Sequence, residues 1–96
     1  MDVKQAAERF CRLVVAHPDM PNAAAKLGSW MIGVAANAGG FPVALSLREI
    51  QRGTGSRIET IKSSIEWLEN KQVLSYEDGT QHIGFGHHAR LYSFKL

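Results

Sequence analysis

The chain has 96 residues, of which 45% are hydrophobic and 21% charged, and its formal net charge is +2. A chain this short has room for one core and not two, with about 60–65% of its surface buried on folding, and its apolar content excludes global disorder. So small a net charge permits a polyanionic partner without requiring one, which leaves the argument to local charge distribution.

Asp2 is placed to cap a first helix running to about Ala16, with Ala6, Ala7, Phe10, Leu13 and Val14 on an apolar face and Lys4, Gln5, Glu8, Arg9 and Arg12 opposite. Glu8 and Arg12 have i,i+4 spacing. His17 and Pro18 end the helix, because proline disfavours helical geometry in the residue before it. Cys11, the single cysteine, excludes an internal disulfide and a cysteine metal cluster, and it reads as a small buried hydrophobe. The short apolar run 13–16 is too little for a signal peptide, and the longest apolar stretch, near residues 30–36, is far below a membrane span. The expected location is the cytoplasm.

A second helix is expected from about Pro21 or Ala23 to Asn37, capped by Asp19 or Asn22. Leu27, Trp30, Met31 and Val34 form its apolar stripe, with Trp30 read as core. Gly28 and Gly33 are unfavourable inside a helix by about 1 kcal/mol each, which suggests that a neighbour comes close there, either the first helix or a second subunit. Gly39 or Gly40 is available for a left-handed cap. Residues 41–45 then suit a minor strand, with Pro42 allowed at an edge or strand start.

Residues 46–74 carry the functional signal. Ser46 and Glu49 have capping-box spacing, and Leu45 and Ile50 flank them as a hydrophobic staple. Gly53-Thr54-Gly55 is expected to interrupt that helix after Arg52, and a second box, Ser56 to Glu59, is expected to open the next one. There Ile58, Ile61, Ile65 and Leu68 form a core-facing stripe, while Arg57, Glu59, Thr60, Lys62 and Ser63 lie opposite. Two capped helices separated by a Gly-x-Gly turn describe a helix-turn-helix.

The run Thr54-Gly55, Thr60-Ile61, Ile65, Leu68 and Val73-Leu74 resembles the winged helix-turn-helix DNA-binding domains of bacterial and phage regulators and replication proteins. It departs from that pattern at Gln72, where glycine is common, and at Ile58, where a polar residue is common. The resemblance covers roughly residues 43–96. It implies a single mainly α domain with a small antiparallel sheet, in which residues 1–40 form a helical N-terminal part. The strand at 73–76, a turn at Glu77-Asp78-Gly79 and a returning strand at 91–96 would enclose a wing at 80–90, its tip holding His82, Gly84, Phe85, Gly86, His87, His88 and Arg90.

Charge distribution agrees with a polyanion contact at one end. Residues 43–63 carry Arg48, Arg52, Arg57 and Lys62 against Glu49 and Glu59, whereas residues 64–79 carry Glu66, Glu69, Glu77 and Asp78 against Lys71. The expected function is sequence-specific binding of double-stranded DNA by a small transcriptional regulator. Arg48, Arg52, Arg57 and Arg90 would contact phosphates, Thr60, Lys62 and Ser63 base edges, and His87 and His88 would add a pH-sensitive contribution. A homodimer on a pseudo-palindromic site is expected, through the first two helices and the small-residue surface of 23–33. The alternatives are a mobile-element replication or excision factor, and a winged helix that recognises or inhibits a protein. No catalytic constellation, metal set or cofactor motif is recognisable; adjacent histidines on an extended segment point opposite ways. Trp67 lies off the main stripe, placed to pack under the wing or against a partner.

Overall fold

In the computed structural model the described residues are 2–83 and 87–95, and for 78–83, 87 and 88 the description covers backbone alone. The elements follow in the order α1 (Val3–Ala16), α2 (Asn22–Ala38), β1 (Val43–Leu45), α3 (Leu47–Thr54), α4 (Ile58–Asn70), β2 (Leu74–Ile83) and β3 (His87–Phe94). The fold is mainly helical with a three-stranded antiparallel sheet ordered β1-β3-β2, an arrangement like that of winged helices.

Asp2 caps α1 as expected, its carboxylate accepting from the Gln5 N–H at 2.7 Å. Only Ala6 and Phe10 of this helix are fully buried, and Cys11 is exposed, contrary to expectation. The reason is that α1 is an outer layer resting on α2, so its buried arc is narrower than its apolar arc. Neither Asp19 nor Asn22 caps α2. Asn22 is already its first helical residue, Pro21 occupies the cap position without a side-chain bond, and Asp19 lies 3.9 Å from the His17 ring nitrogen. Gly39, at φ 87°, closes α2 in the left-handed conformation.

The two interior glycines of α2 part company. A Cβ on Gly28 would lie 2.2 Å from the Phe10 ring, so the neighbour that requires glycine there is α1. A Cβ on Gly33 would meet no neighbouring group within 4 Å, which corrects the close approach expected at that position. Leu27 and Met31 are buried, Trp30 and Val34 half-buried.

Ser46 and Glu49 form the capping box of α3, with both bonds present, and Leu45 and Ile50 are both buried as its staple. The helix does not stop after Arg52. It continues through Gly53, where a Cβ would meet the Trp30 ring at 2.1 Å, and closes at Gly55 with φ 72°. Gly53 is therefore a packing residue and Gly55 the turn residue.

The hairpin is longer than its sequence suggests. Strand β2 runs straight through Glu77-Asp78-Gly79, the expected turn, and β3 begins at His87. Between the pairs Asp78↔Arg90 and His82↔His88 there are four steps along β2 against two along β3, so the Asp-Gly pair sits at a bulge. Gly84, Phe85 and Gly86 lie outside the described residues. Strand β1 pairs with the other side of β3, Val43 opposite Tyr92 and Leu45 opposite Arg90. One hydrophobic cluster joins all four helices to the sheet. Phe94 anchors the far end of β3, stacked on Phe41 at 5.0 Å and tilted against Phe10 at 5.7 Å. Among the described residues no helix is long and apolar enough to cross a membrane.

Candidate nucleic-acid interface

The turn between α3 and α4 is built around a buried hydroxyl. Thr54 Oγ1 donates to the Ile50 carbonyl at 2.8 Å and accepts from the Ser56 N–H at 3.3 Å. A capping box on Ser56 would need that same N–H for the Glu59 carboxylate, so Thr54 forestalls it. The second expected box accordingly does not form. The cap position falls on Arg57, with extended backbone and no side-chain bond to the first-turn amides. Those amides and the positive end of the helix dipole are left for solvent or an anion.

Two arginines flank this turn, Arg52 in the last turn of α3 and Arg57 at the α4 cap, with Arg48 in the first turn of α3. Arg48 and Arg52 are four apart and exposed on α3, and Arg57 is exposed at the α4 cap. Along α4 the exposed residues are Glu59, Lys62, Ser63, Glu66, Glu69 and Asn70, while Ile61, Ser64, Ile65 and Leu68 are buried. Of the residues expected to read bases, Lys62 and Ser63 are exposed and Thr60 is half-buried. The Ser63 hydroxyl donates to the Thr60 carbonyl at 3.0 Å. Fixed charge on this outward arc is three acids against one lysine, and two of the acids belong to the C-terminal half.

Arg90 is not at a wing tip. Its strand position is opposite Leu45 and Asp78, at the base of the hairpin, and its guanidinium lies 4.7 Å over the Tyr76 ring. With Lys62, Ile65, Glu66, Glu69 and Tyr76 it lines a groove of about 330 Å³ between α4 and the sheet. Beneath it, the Tyr92 hydroxyl is buried, with no hydrogen bond of good geometry among the described residues. Burial raises the Tyr92 pKa, and the nearby Arg90 only partly offsets that rise. Sequence reasoning missed Tyr76 and Thr54 at this site. A threonine between two glycines was the available signal for Thr54.

His87 and His88 lie on β3, with side chains outside the described residues. Trp67 is half-buried against the hydrophobic core. Its ring meets His17 edge-on at 6.1 Å, and the Lys71 ammonium lies 5.5 Å from its centroid. Among the described residues no group of three His, Cys, Asp or Glu side chains could hold a metal ion. Compared with family models, curated proteins and solved structures, the chain matches none.

Proposed function

We propose that the protein binds double-stranded DNA through α3 and the N-terminal half of α4, as a small transcriptional regulator. The observation that carries this reading is the uncapped N-terminus of α4, flanked by exposed Arg52 and Arg57. Free helix amides and guanidinium groups both favour phosphate oxygens, and together they position a helix end in a groove. Arg48, Arg52 and Arg57 attract phosphates. Lys62 and Ser63, with Thr60 at their edge, face the bases. Glu66 and Glu69 repel phosphate, so α4 enters by its first two turns and not along its whole length. Arg90 belongs to the hairpin base in this reading, and the single-module contact is small.

The test is selection from a random double-stranded DNA library with the protein and its Arg57→Ala variant at two salt concentrations. An enriched motif is expected, with the log–log salt slope of the variant shallower by about 0.9. No enrichment and no salt-sensitive binding would reject the reading.

A second reading rests on the acidity of the outward α4 face, where Glu59, Glu66 and Glu69 outnumber Lys62. Such a face suits a basic protein partner. Tight binding to a protein with no counterion-release slope toward DNA would favour it.

A further inference from the structure

We infer that the groove between α4 and the sheet is a binding site for a short peptide with both termini free, its carboxylate at Lys62 and its ammonium at Glu69. This goes beyond the DNA reading and stands without it. Lys62, Ile65, Glu66 and Glu69 follow one another at intervals of three, one and three, so they form a single stripe along α4. That stripe meets Tyr76 and Arg90 of the sheet around a space of about 330 Å³. Tyr76 is paired directly opposite Tyr92, and Arg90 is two residues from Tyr92 on the same strand, so all three share one face of the sheet.

Charge says what occupies this groove. Lys62 and Glu66 are four apart, a spacing at which opposite charges on a helix can pair, yet among the described residues neither they nor Glu69 forms an ion pair. The two signs are separated along the groove, with the lysine at one end and Glu69 at the other, about 10 Å away along the helix axis. Glu66 lies nearer the Glu69 end. A simple anion would meet the two glutamates, and a simple cation would meet Lys62 and Arg90, whereas a ligand with opposite charges at its two ends matches both. An extended peptide advances about 3.3–3.6 Å per residue, so about three residues carry an ammonium and a carboxylate at that separation. Between the charges, buried Ile65 and the half-buried Tyr76 ring offer apolar surface to a central side chain.

A second observation points to the same space. Tyr92 is fully buried, and its hydroxyl has no hydrogen bond of good geometry among the described residues. The groups that act on it electrostatically, Arg90, Tyr76 and Glu69, all line the groove, so the hydroxyl is directed at its floor. A buried donor without an acceptor is unfavourable, and a peptide carbonyl seated beside Arg90 supplies one.

The experiment titrates the whole chain, without DNA, with the tripeptides Gly-Leu-Gly and Gly-Phe-Gly and follows NMR shifts. Expected are saturable shifts centred on Lys62, Ile65, Tyr76 and Arg90, with a Kd at or below about 1 mM. Acetylating the peptide amine or amidating its carboxylate should each weaken binding about two- to fivefold. Glu69→Gln and Lys62→Gln should weaken the free peptide by similar factors without moving the thermal midpoint, since both residues are exposed. Each variant removes the partner of one terminus, so Glu69→Gln should leave the acetylated peptide unaffected and Lys62→Gln the amidated one. Tyr92→Phe should weaken binding about threefold. No saturable shift with either peptide up to about 10 mM, shifts centred elsewhere, equal binding of a peptide blocked at both ends, or losses in the variants that do not depend on the matching terminus would each overturn the inference. None of these measurements involves DNA, so the DNA reading can fail or succeed independently.

Discussion

Helices α3 and α4 are consecutive, each is preceded by a Ser-x-x-Glu sequence, and they end up differently made. At its start α3 is closed by a full capping box and a buried staple, and at its end by Gly55 in the left-handed conformation. Only the C-terminal end of α4 has a comparable closure, the Gln72 N–H donating to the Glu69 carbonyl and the Val73 N–H to the Leu68 carbonyl, both at 2.9 Å. Its N-terminal cap residue makes no side-chain bond, and the left-handed position of the C-terminal closure is held by Gln72 at φ 59°, where α3 has glycine. With no side-chain cap at its start, α4 relies on its buried stripe of Ile61, Ser64, Ile65 and Leu68, whereas α3, only eight residues long, depends on local closure and on one fully buried apolar side chain, Ile50. The helix left open at its N-terminus is also the one proposed to meet phosphate. Local rules are satisfied where the chain needs a rigid support and relaxed where a partner can supply the missing bonds.

The comparison breaks most severely at Ile50, the fully buried anchor of α3. Ile50→Ala should cost about 2–5 kcal/mol in denaturant unfolding, because it removes the staple partner of Leu45 and leaves a cavity. A smaller and more telling effect separates the two serines. Ser46→Ala should cost about 1 kcal/mol through loss of the cap, while Ser56→Ala should stay within about 0.5 kcal/mol. Equal losses at the two positions would mean that both boxes form in solution.

At the other end of α4, Gln72→Gly should raise stability by about 0.5–1 kcal/mol, the relief of left-handed strain exceeding the added unfolded-state entropy. A loss of stability there would show that the Gln72 side chain contributes more than its backbone costs. The smallest effect belongs to Tyr92, next to the α4 groove. Its folded-state pKa is raised above the ordinary value near 10 by burial, so the unfolded chain ionises first as pH rises. The stability contributed by the neutral phenol is complete below about pH 10 and is lost as pH climbs toward the folded-state value. Tyr92→Phe should be within about 0.5 kcal/mol of the parent at pH 7, since no well-formed hydrogen bond is lost, and should flatten the alkaline decline. An unchanged alkaline profile would assign that decline to another group.

Much of the architecture was legible from residues alone, because its signals are local. Asp2 at the head of α1, Pro18 after its end, Gly39 closing α2, and the Ser46–Glu49 box within its Leu45–Ile50 staple each depend on bonds spanning a few residues. Even the departure at Gln72 marked a real feature, since the backbone there keeps the conformation that glycine favours.

Other features were decided by groups far apart in sequence. Whether the second Ser-x-x-Glu closed depended on where the Thr54 hydroxyl sat once α3 had docked, and that hydroxyl took the Ser56 N–H. Gly53 inside α3 admits no side chain because Trp30 of α2 packs over it, and Cys11 stayed exposed because α2 covers only one narrow face of α1. The Asp-Gly pair gave no turn because strand pairing with β3 continued past it through a bulge, and the same register carried Arg90 to the hairpin base beside Tyr76. Short-range hydrogen bonds and steric limits are written in adjacent residues, so the sequence by itself determined the helices and most of their ends. Strand register, competition for a single N–H, and which side of a helix is covered depend on the assembled core, and only the tertiary structure decided them.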